Sequence, residues 1–268
     1  MLKADELSAL MSAQLKKGVF TNSSMTAAEY LEDDPCLKAV SSDGALLIFR
    51  RRPDFMLMNY YVQQNCECIA IPESCSDTLV CETAWRPKDL AAAERVMKLL
   101  AEAGFQPAIE RIRLSRNENA DSAAFNEAEI INSSSEWRNF SADAFLREHF
   151  NSLTGCIPPE NVLMTDLFAV IRRNKEIAGM LHFSVGRSFW EIHHLAVVSE
   201  LRGKNLAAQL LDAAQIEADR ISLQDASNAH LRCRVWTGAD NVSAIKFYEK
   251  HGFSADAYRS KVLIRNNR

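Results

Sequence analysis

Three groups of residues in the second half of the sequence have types and spacings suited to chemistry. The first is the run His194-Leu195-Ala196-Val197-Val198-Ser199-Glu200-Leu201-Arg202-Gly203-Lys204-Asn205-Leu206-Ala207-Ala208-Gln209-Leu210-Leu211. Here an apolar strand passes through a short basic loop of small residues into a helix. Such a loop exposes unpaired backbone N–H groups, and the helix dipole adds partial positive charge. It can therefore hold a phosphate or pyrophosphate with few side chains. Arg202 and Lys204 add charge, while Ala207 and Ala208 keep the approach uncrowded. The same residues also fit an ordinary strand–loop–helix connection. The second group is Glu191 and His193. They are two apart on a strand, so they share one face, which Leu195 and Val197 continue. Either can accept a proton, the histidine near neutral pH. His194 and His182 are further candidates. The third group is Asn241-Val-Ser-Ala244-Ile-Lys-Phe247-Tyr248-Glu-Lys-His-Gly252-Phe253. Asn241 caps a helix, Ala244 and Phe247 pack inward, Tyr248 stands beside Phe247, and Gly252 ends the helix. Tyr248 fits core packing as well as chemistry.

The loop and this helix, in this order and separated by a strand, resemble the GNAT superfamily of acyl-CoA N-acyltransferases. The family's loop signature, Gln/Arg-x-x-Gly-x-Gly/Ala, is met by Arg202 and Ala207. Its late signature, Asn-x-x-Ala-x-x-Phe-Tyr-x-x-x-Gly-Phe, is complete from Asn241 to Phe253. The first loop glycine is Asn205 here. Asn is the non-glycine residue that best tolerates positive φ, so the turn is expected to survive with weakened acyl-CoA binding.

The resemblance implies an N-acetyltransferase that moves an acetyl group from acetyl-CoA to a primary amine by direct attack in a ternary complex. Leu195, Ala196 and Val197 would pair with the pantetheine arm. The pyrophosphate would rest on Arg202, Gly203, Lys204, Asn205, Leu206, Ala207 and Ala208. Asn241, Phe247 and Tyr248 would complete the cofactor site. A backbone N–H of the strand would polarise the acyl carbonyl. Tyr248 would protonate the leaving thiolate, and Glu191 or His193 would take the amine proton. Acetyl-CoA is the expected co-substrate, with no metal. The expected partner is a small-molecule or peptide amine acceptor, not a nucleic acid or a membrane. A monomer or homodimer is expected. The alternative is a non-catalytic GNAT-fold CoA-binding or regulatory module.

The elements that must position these residues are legible from periodicity. Residues 4–17 predict an amphipathic helix stopped by Gly18. Ala45–Phe49 and Phe55–Val62 read as strands around the turn Arg50–Asp54, and Cys66–Ile71 and Thr78–Ala84 as two more. Pro87 opens a helix through Ala103, with Leu90, Ala93, Met97 and Leu100 inward and Gly104 as cap. Ala108–Leu114 is a strand. Ser141 caps a helix through Phe150. Leu167–Arg172 and Glu176–Val185 form a strand pair, followed by strand Phe189–Val198 and helix 205–221 with Leu206, Leu210, Ala214 and Ile221 along one side. Strand Leu231–Trp236, a helix from Asp240 or Asn241, and strand Tyr258–Ile264 complete the order. The expected class is α/β, an α+β mixed sheet. The resemblance makes it a GNAT fold in tandem with a truncated N-terminal copy.

The first half echoes the second. Leu47-Ile48-Phe49-Arg50-Arg51 parallels Ala169-Val170-Ile171-Arg172-Arg173, and Gly104-Phe105 through Leu114 parallels Gly252-Phe253 through Leu263. No Asn-x-x-Ala-x-x-Phe-Tyr segment precedes Gly104, so this half is a degenerate copy without the phosphate loop and its helix. The expected division is 1–115, a linker 116–137, and a catalytic domain 138–268. Arg50-Arg51-Arg52 reads as a solvated turn.

Composition bounds the rest. The chain has 268 residues, 47% hydrophobic and 25% charged, enough apolar surface for a core. Its net charge of -4 argues against binding nucleic acid chiefly through phosphates. The longest apolar runs, Ala45–Phe49 and Leu167–Ile171, are five residues each, far short of a membrane span. Asp5 and Glu6 disfavour a signal peptide, so a cytoplasmic protein is expected. Seven cysteines, none in CxxC spacing, read as reduced thiols. Cys66, Cys68, Cys75 and Cys81 are close enough in sequence to raise a metal site as a third reading.

Overall fold

The computed structural model describes residues 2–15, 18–72, 77–117, 127–132, 142–151, 153, 166–224 and 231–266. The order of elements is α1 (Ala4–Gln14), β1 (Phe20–Thr21), α2 (Ala27–Asp33), β2 (Lys38–Ser42), β3 (Ala45–Arg51), β4 (Met56–Val62), β5 (Leu79–Trp85), α3 (Leu90–Glu102) and β6 (Gln106–Arg116). There follow β7 (Glu129–Asn132), α4 (Ala142–His149), β8 (Asp166–Arg173), β9 (Glu176–Val185), β10 (Phe189–Val197), α5 (Leu206–Gln224), β11 (Arg232–Gly238), α6 (Val242–Lys250) and β12 (Ser254–Arg265). The chain divides into two units. The first is residues 1–111 with 257–268, and the second is residues 112–256. The division falls within β6 and β12.

In unit 1 the strands run β2-β3-β4-β5-β12. Both faces of β3 are buried, which is why Ala45–Phe49 is an unbroken apolar run rather than an alternating one. Leu46 and Ile48 pack with Leu7, Tyr30 and Tyr61 beneath α1 and α2. Ala45, Leu47 and Phe49 pack with Val96, Leu100 and Phe105 on the α3 side. Strands β4 and β5 are parallel, but their ladder has only the rungs Met56–Leu79 and Leu57–Val80. Beyond it, β1 pairs with β4 at Tyr61 and Val62. Between these stretches the Asn22 side-chain amide donates to Met58 O at 3.2 Å and accepts from Tyr60 N at 2.8 Å.

Unit 2 carries β6-β11-β10-β9-β8-β7. Leu167, Ala169 and Ile171 of β8 join the core under α5, while Phe168 and Val170 join the core under α4. The β8–β9 turn takes positive φ at Asn174 (53°) and Lys175 (71°), the geometry of a tight hairpin.

Several expectations are corrected. Cys66–Ile71 is not a strand. Cys66 instead donates its thiol to Cys68 O at 3.1 Å. The stripe of α3 is Ala93, Val96, Leu99 and Leu100, and Leu90 is exposed, because a turn of 3-10 helix (Pro87–Asp89) rotates the start of the helix. Glu129–Asn132, within the expected linker, is a strand paired with β8. Of the three arginines 50–52 only Arg51 is exposed. Arg50 and Arg52 are buried against Asp33, with Arg50 also on Asn59 and over the Tyr30 ring. The hairpin echo is shifted by one strand: the parallel pair β4·β5 matches β10·β11, so β3 corresponds to β9, not to β8. Ser141, Cys75 and Cys156 lie outside the described residues. Among the described residues no helix is long and apolar enough to cross a membrane.

Candidate active site

The site is built where β10 and β11 part. They pair in parallel from Phe189–Arg232 to Ile192–Val235, and the ladder ends there, although β10 continues to Val197 and β11 to Gly238. A wedge therefore opens between His193–Val197 and Trp236–Gly238. The phase of β10 fixes which backbone groups face it. Val198 N donates to Ala178 O at 3.0 Å, so His194, Ala196 and Val198 spend their backbone groups on β9. Leu195 and Val197 turn theirs the other way, toward the wedge. Ala196, expected beside them, does not.

A β-bulge between Ile192 and His194 changes the faces. A bulge sets two residues against one, so the residue count slips by one. His193 and His194 consequently both lie against His182, with ring centroids 4.8 and 5.4 Å away. Leu195 and Val197 fall on the opposite face, with the Trp190–Ile192 core. The expectation that they continue the Glu191–His193 face is overturned. Glu191 itself is half-buried, at the rungs with Ser184 and Arg234.

From the wedge the chain turns through Ser199–Leu201 into the loop. Arg202 folds back and donates Nε to Val197 O at 3.1 Å. Gly203 (φ 77°) and Asn205 (φ 63°) are both left-handed, so Asn205 does take the backbone a glycine would. The first intrahelical bond of α5 is Gln209 N to Asn205 O at 3.2 Å. The amides of Leu206, Ala207 and Ala208 precede it and have no intrahelical acceptor. Arg202 and Lys204 are exposed. Helix α5 is seated by Gly179 of β9, where an added Cβ would lie 3.1 Å from Leu210 Cδ1, 3.2 Å from Val197 Cγ2 and 3.3 Å from Ala196 O. That close approach fixes the loop relative to the wedge.

Helix α6 begins as expected, with Asn241 Oδ1 accepting from Ala244 N at 3.1 Å. Its far end is tied by Arg116, which donates to His251 O at 2.9 Å and to Gln215 Oε1 at 2.7 Å. Tyr248 is buried, its ring edge-on to Phe247 and Phe253 at 5.2 Å. Burial pushes its phenol well above the usual range, with the Cys233 thiol as a second cause. The hydroxyl therefore stays protonated. Phe247 is half-buried.

On the α4 face the sheet buries a polar chain that the sequence only partly revealed. His182 Nε2 lies 3.0 Å from Asp166 Oδ2, and His182 Nδ1 lies 3.2 Å from His194 Nδ1. His193 Nε2 meets Ser184 Oγ at 2.8 Å. Phe168 stacks on His182 and Phe150 meets His194 edge-on, each at 4.6 Å. Burial pushes His182 and His193 down to about 3, with the neighbouring His182 adding to the effect on His193. Asp166 escaped the sequence reading; only its position one residue before an apolar run marked it. Asp166, His182 and His193 offer ligand atoms within 4.8 Å of one another. Both nitrogens of His182 are engaged by Asp166 and His194, however, so the cluster is a hydrogen-bonded chain. The described cysteines of 66–81 form no such cluster, and burial drives Cys81 away from the thiolate.

Comparison with known proteins gives the following. Residues 165–255 match the family described as acetyltransferase (GNAT) domain. A tandem GNAT protein from the clavulanic acid biosynthesis pathway superposes with a TM-score of 0.59 at 13% identity, covering 99% of this chain and 95% of that one. A GCN5-related N-acetyltransferase from Sphaerobacter thermophilus gives 0.54 at 14%, covering 99% and 91%. One from Kribbella flavida gives 0.53 at 11%, covering 99% and 96%. At these identities the likeness is one of fold. No curated protein matches the sequence.

Proposed function

From the premise that the chain carries a GNAT acetyltransferase domain over residues 165–255, we propose that it transfers an acetyl group from acetyl-CoA to a primary amine by direct attack in a ternary complex. The observation that carries this reading is the continuity of wedge and loop. Backbone groups left open at Leu195 and Val197 lead, through two left-handed residues, to the open amides of α5. A pantetheine arm would add to the edge of β10 as a further strand adds to a sheet, and its pyrophosphate would lie over Gly203–Ala208. Val197 O is the exception, already holding Arg202.

When bound, acetyl-CoA supplies an activated thioester. The chain's own residues do the rest. The bulge residue His193 has no Cα partner in the β9 ladder and sits one residue past the last β11 rung, and its N–H would be the one to polarise an acyl carbonyl. Tyr248 keeps its proton and would be the group to supply it to a leaving thiolate, although burial makes its phenol a weaker acid. Glu191 is the better candidate to take the amine proton directly, since burial leaves His193 a weak base. The test is a panel of amines with acetyl-CoA, read by release of free thiol and by thermal shift. Thiol release with one acceptor class and a raised Tm support the reading. No shift with acetyl-CoA or CoA overturns it, and a shift without release from any amine favours a non-catalytic CoA-binding module.

A further inference from the structure

Unit 2 buries two imidazoles and a carboxylate, with a third imidazole, His193, half-buried beside them, across three adjacent strands. From β8 come Asp166 and Phe168; from β9, His182 and Ser184; from β10, Glu191, His193 and His194. The Phe150 ring stands edge-on to His194. Burying this many polar groups is costly unless each is hydrogen-bonded, and the bonds have a direction. With Asp166 ionised, its carboxylate can only accept, and His182 then donates Nε2–H to it. His182 is fully buried and held neutral, so its Nδ1 is an acceptor. His194 must then donate Nδ1–H to it. The polarity runs from His194 through His182 to Asp166. His194 stands on β10 two residues beyond the last rung with β11, level with the opening of the wedge.

We propose that His194, His182 and Asp166 form a proton relay through which the buried Asp166 carboxylate acts as a remote base for acetyl transfer. The relay rests on the function proposed above. In this scheme the relay, not Glu191, receives the proton released by the attacking amine, at His194 Nε2. The Nδ1–H of His194 passes to His182 Nδ1, and the Nε2–H of His182 passes to Asp166 Oδ2. One proton enters, one arrives on the carboxylate, and both rings end neutral in their other tautomers. The reverse shift returns the proton and resets the chain. The unwillingness of the rings to become imidazolium suits this transfer, because no positive charge is parked on them. Asp166 and His182 are positioning residues in this scheme, since they act through His194.

The test has two arms on the full-length chain. In the first, long-range nitrogen–proton correlation spectra of 15N-histidine-labelled protein, without ligand, report tautomers. His182 is expected as Nε2–H and His194 as Nδ1–H, both altered in Asp166→Asn; the opposite tautomers in the wild type overturn the relay. In the second, acetyl-CoA and the amine that releases thiol in the wild type are used. Asp166→Asn is expected to lower kcat by about 10²-fold, with the KM for acetyl-CoA unchanged and partial rescue by Asp166→Glu. The proton inventory of kcat in H2O/D2O mixtures should be curved in the wild type and linear in Asp166→Asn. A purely structural role would lower Tm and leave that curvature in place, and so overturn the relay, as would unchanged kcat. A stoichiometric metal present in the wild type and lost in Asp166→Asn would also overturn it. If no amine releases thiol with the wild type, the proposed function fails, whereas the tautomers still decide the direction of the chain.

Discussion

Replacing Gly203 by alanine separates backbone strain from crowding at the phosphate loop. Gly203 has φ 77°, and a Cβ added there would meet nothing within 4 Å. The substitution therefore costs only the left-handed torsion, about 1–2 kcal/mol for a residue with a Cβ. The loop is exposed, so the chain can escape the cost by letting residues 203–205 relax, which turns their amides away from one another. A bound pyrophosphate must then restore the strained turn, and the cost reappears as weaker binding, about 5- to 30-fold in Kd. If the turn stays strained in the free protein, the cost appears instead as a lower Tm. Calorimetric titration with CoA and a melting curve on the same sample measure both. The binding and stability losses together should come to about 1–2 kcal/mol. Asn205→Gly, at φ 63°, should bind CoA at least as tightly as the wild type. Gly203→Ala with both Kd and Tm unchanged would refute the placement of the pyrophosphate on a left-handed turn.

Three further outcomes are expected. Asn241→Ala removes the cap on Ala244 N and should cost about 1 kcal/mol in denaturant unfolding, with Asn241→Asp close to neutral. Calorimetry should give a single CoA per chain, because in unit 1 the Asn22 amide and β1 take the β4 edge that a pantetheine would need; two equivalent sites would contradict this. His182 is held down to about 3 from 6.5, so the unfolded chain binds its proton first as pH falls. Stability should be full above about pH 6.5 and decline below it with a slope of about 1.4 kcal/mol per pH unit from this group. The same slope in His182→Asn would refute that assignment.

Local signals in the sequence were accurate where the structure is local. The cap at Asn241, the stop at Gly252 and the turn at Arg173–Lys175 are each set by residues within a few positions of one another. The bulge at His193 left no such mark, because two adjacent histidines do not announce a slip in register. That slip decides which face Leu195 and Val197 occupy and which backbone groups open to the wedge. Cys66–Ile71 has the apolar residues of a strand but no partner strand in the described structure. Asp166 and Asn22 matter through partners 16 and 36 residues or more away, which periodicity does not reach.

The pairing of β12 with β5, from Arg259–Trp85 to Arg265–Leu79, sets an order on biosynthesis. A chain emerging from the ribosome folds its N-terminal parts first. Here the unit made first lacks its final strand until Arg259–Arg265 have left the tunnel. Until then the edge of β5 is open, with Leu79, Val80 and Cys81 beside it, and open edges recruit foreign strands. Cutting the gene between the copies would make that state permanent. Fragments divided near residue 117 should aggregate separately and recover only when mixed.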